Sequence, residues 1–154
     1  MKLKQIEILI YGGKMKYRVD NDKIFVQLDR GDWIHKSIAE VIEKESLSSG
    51  WIKGIGAVEG MELGYFDYPT RTYKNKIFSG EYELINYDGN ITISDGKPFI
   101  HAHAIFGDEN YQVVGGHLYD AQISAVGEFV ILPGEIKINR KLDNNLKLTK
   151  WELS

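Results

Sequence analysis

The stretch PFIHAHAIF, residues 98–106, is followed by GGHL at residues 115–118. Together the two segments hold three of the four histidines of the chain, His101, His103 and His117. Because successive side chains of a β-strand point to opposite faces, His101 and His103 share one face, with Cα atoms about 7 Å apart. The intervening GDEN sequence predicts a turn. An antiparallel hairpin would return His117 to the neighbourhood of two imidazoles that can bind one metal ion.

Whether His117 joins this pair depends on the register of the hairpin. If Phe106 pairs with Tyr111, His117 lies on the face opposite to His101. If the loop is one residue shorter, so that Gly107 pairs with Tyr111, His117 lies directly across from His101. A β-bulge at Gly115–Gly116 would have the same effect, because one extra residue re-aims the side chains after it and glycine tolerates the geometry.

The composition of the chain favours a single domain over residues 1–154, of which 43% are hydrophobic. A net charge of −3 argues against a surface built as a whole for contact with phosphates. The chain has no cysteine, so any metal must be held by His, Asp or Glu.

The N-terminal segment predicts neither a signal peptide nor a membrane span. We therefore expect a soluble, cytoplasmic protein without a membrane partner.

One strong helix is predicted over Asp32–Leu47, where apolar residues recur at helical spacing. Asp32 is its expected N-cap and Gly50 its expected C′ residue. His35, beside the polar face of this helix, is expected to be solvated.

The rest of the pattern predicts a series of short strands, with Asp88–Asn90 as a tight hairpin turn. Gly54 and Gly56 predict a strand that another backbone or a ligand approaches closely. One helix with many strands predicts an α+β fold, a largely antiparallel β-sheet covered on one side by the main α-helix. The predicted strands outside the histidine segments are Gln5–Tyr11, Met15–Val19, Lys23–Leu28, Trp51–Val58, Leu63–Tyr68, Tyr73–Ile77, Glu81–Tyr87, Ile91–Ser94, Gln122–Leu132, Glu135–Asn139 and Leu146–Leu153.

Two carboxylates are candidate catalytic residues. Glu128 shares its predicted strand face with the apolar Val126 and Val130, so it needs a hydrogen bond, a basic residue or the N–H of a metal-bound histidine as partner. Glu83 is the second candidate. A structural role is the alternative for both. Asp120 is expected to be a turn residue.

An ordered set of motifs resembles the PPC domain, the "plants and prokaryotes conserved" family. The resemblance covers roughly residues 16–132, and its motifs are GIGAV (54–58), LGYFD (63–67), ELINYDGNI (83–91), PFIHAH (98–103), GGHL (115–118) and GEFVI (127–131). It implies a helix packed on an antiparallel sheet, and assembly as a homotrimer. Bacterial relatives share the His-x-His and Gly-Gly-His arrangement, which implies a metal site, with zinc as the expected ion, on His101, His103 and His117.

Three functions follow from these observations. The first is a homotrimeric metal protein in which three histidines leave one coordination position open, so that metal-activated water could act on a small substrate. The second is a DNA-binding regulatory protein, although the chain lacks the AT-hook that precedes the domain in plants and its four arginines are scattered. The third is a trimeric structural or small-ligand-binding module whose histidines serve stability.

Overall fold

The computed structural model describes residues 9–10 and 15–153. Within these residues the chain forms one α-helix and nine β-strands. The predicted strand Gln5–Tyr11 lies outside the described residues, apart from two residues that form β1. In chain order the elements are β1 (Leu9–Ile10), β2 (Lys16–Asp20), β3 (Lys23–Asp29), α1 (Ile34–Lys44), β4 (Gly50–Asp67), β5 (Thr72–Ser94), β6 (Lys97–Gly107), β7 (Val113–Pro133), β8 (Asn139–Asp143) and β9 (Leu148–Glu152).

The described strands belong to one sheet in the order β1-β2-β3-β7-β4-β5-β8-β9, and β6 pairs with both β5 and β7. Since β4 also pairs with β5 and β7, the four strands β4 to β7 close into a ring. All pairings are antiparallel except the bridge between Ile93 and Asn139. The predicted α+β class and the largely antiparallel sheet are confirmed. No described helix has the length and apolar character needed to cross a membrane.

Several predicted short strands are segments of long, continuous ones. The strands β4, β5 and β7 contain 18, 23 and 21 residues. The predicted hairpin turn at Asp88–Asn90 is therefore wrong. Gly89 lies inside β5, opposite Ile52 of β4 and Ala102 of β6. The turn-forming residue types are overridden because ladders on both sides of β5 keep this segment extended.

The N-terminus of α1 differs from the prediction. The helix begins at Ile34 with Trp33 as N-cap. Asp32, the predicted cap, instead accepts a hydrogen bond from the backbone N–H of Asp29 at 2.8 Å. The carboxylate of Asp120 reaches the helix instead, and it accepts a hydrogen bond of 2.9 Å from the backbone N–H of His35. The expectation that Asp120 is a turn residue was wrong, because it lies within β7 and satisfies a free N–H of the first helical turn.

The C-terminus of α1 ends without glycine. Ser46 has a positive φ of 54°, its N–H donates to the carbonyl of Glu43, and the N–H of Leu47 donates to the carbonyl of Ile42. This pair of bonds is a Schellman motif, in which Ser46 is the C′ residue. The predicted role of Gly50 was therefore wrong. The buried face of the helix consists of Ile34, Ser37, Ile38, Val41 and Ile42.

The expected close approach at Gly54 and Gly56 is present. A Cβ on Gly54 would overlap the ring of Phe129, and one on Gly56 would lie 2.5 Å from the carbonyl oxygen of Val126. The Phe129 ring packs edge-to-face on Tyr87, with centroids 5.4 Å apart. The two glycines therefore allow β7 and the buried ring of Phe129 to pack closely against β4.

We expect Gly54→Ala to reduce the free energy of unfolding by about 1–3 kcal/mol, because the added methyl group overpacks a buried site. Urea denaturation of the single variant measures this loss. The matched test is the same substitution in a Phe129→Leu background, where the smaller side chain should lower its cost. An equal cost in both backgrounds would contradict the steric explanation.

Candidate metal centre

His101 and His103 lie on β6 and His117 lies on β7, where the two strands pair. His103 is directly opposite His117, and His101 is two residues away on the same face of β6. One nitrogen of each residue lies within 4.8 Å of those of the other two. The ring centroids are separated by 5.2 Å for His101–His103, 5.2 Å for His101–His117 and 5.7 Å for His103–His117. We call these three residues the histidine cluster.

The cluster forms in a register that differs from both registers considered above. Gly107 pairs with Val113, so the connecting loop is longer than expected, and His117 faces His103 instead of His101. The carboxylate of Asp108 accepts the backbone N–H groups of Asn110 at 2.8 Å and Gln112 at 2.9 Å. These bonds stabilise the wider loop. Because the register is shifted by two residues from the tighter hairpin, His117 still points to the face of His101 and His103.

The glycine pair before His117 does not form the proposed bulge between β6 and β7. The pairing runs without interruption through Ile105–Gly115 and Ala104–Gly116. A Cβ on Gly115 would lie 2.9 Å from the carbonyl oxygen of Ala104, and one on Gly116 would lie 2.9 Å from that of Gly64. The two glycines therefore permit the close approach of β4, β6 and β7 beside the cluster.

Two tyrosine rings pack against His117. The ring centroid of Tyr73 is 5.0 Å and that of Tyr119 is 4.9 Å from the centroid of His117. A Cβ on Gly64, which is opposite His117 on β4, would lie 2.9 Å from atoms of both tyrosine rings. The missing side chain at Gly64 thus makes room for the rings that restrict the movement of His117.

Two members of the cluster, His101 and His117, are held in their neutral form near pH 7. The pKa of His101 is lowered to about 4, mainly by burial and also by the charges of Arg140 and His103. Burial likewise lowers the pKa of His117 to about 4, with smaller contributions from neighbouring charges. His101 and His117 are half-buried, whereas His103 is exposed. A neutral imidazole is the form that coordinates a metal ion.

The donor atoms of the cluster fit a divalent transition metal. The Nδ1 atom of His117 is buried and has no hydrogen-bond partner among the described residues. Leaving such a nitrogen unpartnered costs free energy. Neutral imidazoles suit zinc and its neighbours, whose nitrogen ligands they commonly provide.

His35 is not the solvated side chain that was predicted. Its Nε2 atom is buried without a hydrogen-bond partner among the described residues, and its ring packs edge-to-face on Tyr87 with centroids 5.8 Å apart. Burial lowers the pKa of His35, while the charge of Asp120 and a hydrogen bond to the backbone of Tyr119 oppose this effect. Helical periodicity places His35 beside the polar face, but that side of the helix is covered by the sheet.

Two polar residues beside the cluster were missed because they were assigned to a turn. Asp88 is opposite His103 and Asn90 is opposite His101 in the β5–β6 ladder. Asp88 accepts hydrogen bonds at 2.7 Å from Trp51 Nε1 and from Lys53 Nζ, so its charge already has a partner. To place Asp88 and Asn90 beside the cluster, residues 72–94 must be recognised as one strand.

Glu83 and Glu128 lie outside the histidine cluster. Glu83 is exposed on β5, opposite Ala57 and Gly107. Glu128 is exposed on β7, opposite Gln27 and Ile55. Their assignment as catalytic residues stays a prediction.

Several solved structures resemble the fold that carries this cluster. A Bacteroides thetaiotaomicron protein whose name proposes DNA binding is 28% identical, with a TM-score of 0.87 over 90% of this chain and 96% of its own. A plant- and prokaryote-conserved (PPC) protein from Pyrococcus horikoshii is 28% identical, with a TM-score of 0.78 over 99% of this chain and 97% of its own. A metal-containing protein from Archaeoglobus fulgidus has the same identity and TM-score over 99% of both chains.

Among curated proteins, none matches the chain. The family model of the Plants and Prokaryotes Conserved (PCC) domain matches residues 15–135, which is most of the chain. This match includes the helix, the ring of strands and all three residues of the histidine cluster. The chain therefore belongs to the Plants and Prokaryotes Conserved domain family, the PPC family that its motifs resemble.

Proposed function

We propose that this PPC-domain protein binds a divalent transition-metal ion, zinc, at His101, His103 and His117. The observation that carries the proposal is the cluster itself, in which one nitrogen of each histidine lies within 4.8 Å of the others. The relative from Archaeoglobus fulgidus, which is called metal-containing, supports it. Zinc is the ion we favour because all the donors are imidazole nitrogens and no thiolate is available.

The chemistry at such a site depends on the coordination position that three histidines leave open. A bound ion supplies a Lewis acid and makes a water molecule at that position more acidic. The chain contributes imidazole donors, held by the β6–β7 ladder and by the tyrosine rings packed on His117. Hydrolysis or another reaction of a small substrate stays a prediction, with Glu83 and Glu128 as the candidate acid–base residues.

We further propose that the chain is a homotrimer. One face of the β3–β7–β4 segment exposes Phe25, Trp51, Ile55, Val126 and Leu132, each between 37% and 55% accessible. Contiguous exposed apolar surface of this kind is typical of a contact between subunits. Threefold assembly is what the family resemblance implies. A trimeric module that binds a small ligand is compatible with the same arrangement.

DNA association is a second candidate function. It is favoured by a cleft of about 600 Å³ on this same face, whose lining includes Lys16, Arg18 and Lys53. The name of the relative from Bacteroides thetaiotaomicron also proposes DNA binding. However, Glu128 and apolar side chains share the cleft, and the chain has a net charge of −3. The surface therefore suits contact between subunits better than contact with phosphates.

We expect protein purified without a histidine tag to contain one metal ion per chain by elemental mass spectrometry. His101→Ala or His103→Ala should weaken metal binding on the order of 100-fold or more, because each removes one of three donors. His35→Asn is the matched control, since it removes the fourth histidine and leaves the cluster intact. A parent protein that binds no stoichiometric metal would contradict the proposed site.

Sedimentation equilibrium should give three times the chain mass of 17.6 kDa. Ile55→Lys places a charge in the exposed apolar face and should shift the mass towards the monomer. Ile77→Lys is the control, because Ile77 is 75% accessible but lies near the far end of the β4–β5 pair. A monomeric parent would refute the trimer, and an unaffected Ile55→Lys variant would show that this face is not the interface.

If DNA is a partner, fluorescence anisotropy with a labelled duplex should show affinity that falls steeply as salt is raised. Arg18→Ala should then reduce the slope of log affinity against log salt by about 1, because one phosphate contact is lost. Binding that is absent at low salt would rule out this second function. A trimer that covers the cleft would also close it to DNA.

A further inference from the structure

A hairpin beyond the family match reaches the histidine cluster. The strands β8 and β9 follow residue 135, where the match to the family model ends. They pair with each other, and the hairpin joins the sheet through the bridge between Ile93 and Asn139. The backbone N–H of Ile93 also donates to the carbonyl of Ile138 at 2.8 Å. These contacts hold the hairpin against the end of β5 that pairs with β6.

Arg140 and Trp151 are cross-strand neighbours on this hairpin, and their side chains contact residues of β5 and β6 beside the cluster. The Nε1 of Trp151 donates at 3.3 Å to the side chain of Asn90, which is opposite His101. The guanidinium of Arg140 lies over the ring of Phe99, 4.9 Å from its centroid. Since Phe99 and His101 are two residues apart on one strand, their side chains share a face about 7 Å apart. Arg140 is thereby placed next to His101.

Within residues 9–10 and 15–153, the positive charge of Arg140 has no carboxylate partner. Its Nε and Nη2 donate to the Oγ1 and carbonyl oxygen of Thr149, and its Nη1 donates to Oγ1 of Thr92. All three acceptors are neutral. No ion pair of Arg140 occurs among the residues that the structure describes. Two of its five N–H groups have no hydrogen-bond acceptor among those residues.

This charge lies beside the cluster. Arg140 contacts Phe99 of β6, two residues from His101, and Thr92 of β5, two residues from Asn90. Asp88, the carboxylate opposite His103 in the β5–β6 ladder, is paired with Lys53 at 2.7 Å. A divalent ion held by three neutral imidazoles would therefore add two positive charges beside the guanidinium of Arg140, whose own charge is not paired with a described carboxylate. Such an excess of charge in a half-buried place requires an anion.

We propose that the histidine cluster is an oxyanion site, in which a carboxylate or phosphate group is held between the bound metal ion and the guanidinium of Arg140. This inference rests on the metal binding proposed above. Arg140 suits the role because its planar fork of N–H groups matches the two oxygens of such a group. The open position on the metal ion and the two free N–H groups would bind oxygens of the same anion. The site thus takes anionic small molecules, and Arg140 is its specificity-determining residue.

The test uses the full chain loaded with Co²⁺, whose visible absorption reports on ligands of the metal. Metal content is measured first, and the protein is then titrated with acetate or with inorganic phosphate at constant ionic strength. The variants are Arg140→Gln, which removes the charge, and Arg140→Lys, which keeps the charge but not the fork. Lys141→Gln is the matched control, because it removes a cation from the adjacent position of the same strand.

The expected dissociation constant for the anion rises about tenfold or more in Arg140→Gln, since a charge-assisted hydrogen bond is lost. The rise should be smaller in Arg140→Lys, and Lys141→Gln should bind like the parent. In buffer without added anion, Arg140→Gln should bind the metal at least as tightly as the parent, because a neighbouring cation has been removed. If Arg140 had only a structural role, Arg140→Gln would instead weaken the binding of both the metal ion and the anion.

The outcomes separate this inference from the proposed function. A response to phosphate alone or to acetate alone supports the oxyanion site and identifies which of the two groups it takes. If the parent binds metal but responds to neither anion, or if Arg140→Gln binds the anion as tightly as the parent, the oxyanion site is refuted while the metal site stands. If the parent binds no metal, the proposed function is refuted and the oxyanion site with it.

Discussion

The central constraint in this structure is that β6 is paired along both of its edges. Its ladder with β5 fixes the position of His101 and His103 relative to Asp88 and Asn90. Its ladder with β7 places His117 opposite His103. Because a strand paired on both sides cannot slide without breaking two sets of hydrogen bonds, the three imidazoles are positioned by backbone structure rather than by flexible loops.

Burial and charge then determine which ligands the cluster suits. Partial burial keeps His101 and His117 neutral near pH 7, so protons compete little with a metal ion for their nitrogens. Arg140 adds to this effect, and its positive charge has no carboxylate partner among the residues that the structure describes. The same arrangement that favours coordination by neutral imidazoles therefore also favours an anion as the additional ligand. The proposed metal site and the proposed anion site would both depend on this one electrostatic arrangement.

The differences between prediction and structure have identifiable physical causes. Asp88–Asn90 has the residue types of a turn, but its backbone is paired with β4 on one side and β6 on the other, so local preference is overridden. Ser46 replaced the expected glycine at the end of the helix because two backbone hydrogen bonds stabilise its positive φ. The loop before β7 is wider than predicted because the Asp108 carboxylate binds two backbone N–H groups within it. Each cause is a contact that residue types in isolation do not specify.

The sequence by itself determined the α+β class, the position of helix α1, the family, and which three histidines share a part of the sheet. These properties depend on the period of the apolar residues and on short motifs, both of which are local. Only the tertiary structure decided the register that puts His117 opposite His103, the burial of His35, and the approach of Arg140 to the cluster. Those properties depend on pairings between residues far apart in the chain, such as His101 with Asn90 across the β5–β6 ladder and Arg140 with Thr92. The segment PFIHAHAIF indicated where the histidines lie, but strands that pair with it along both edges determine what they can bind.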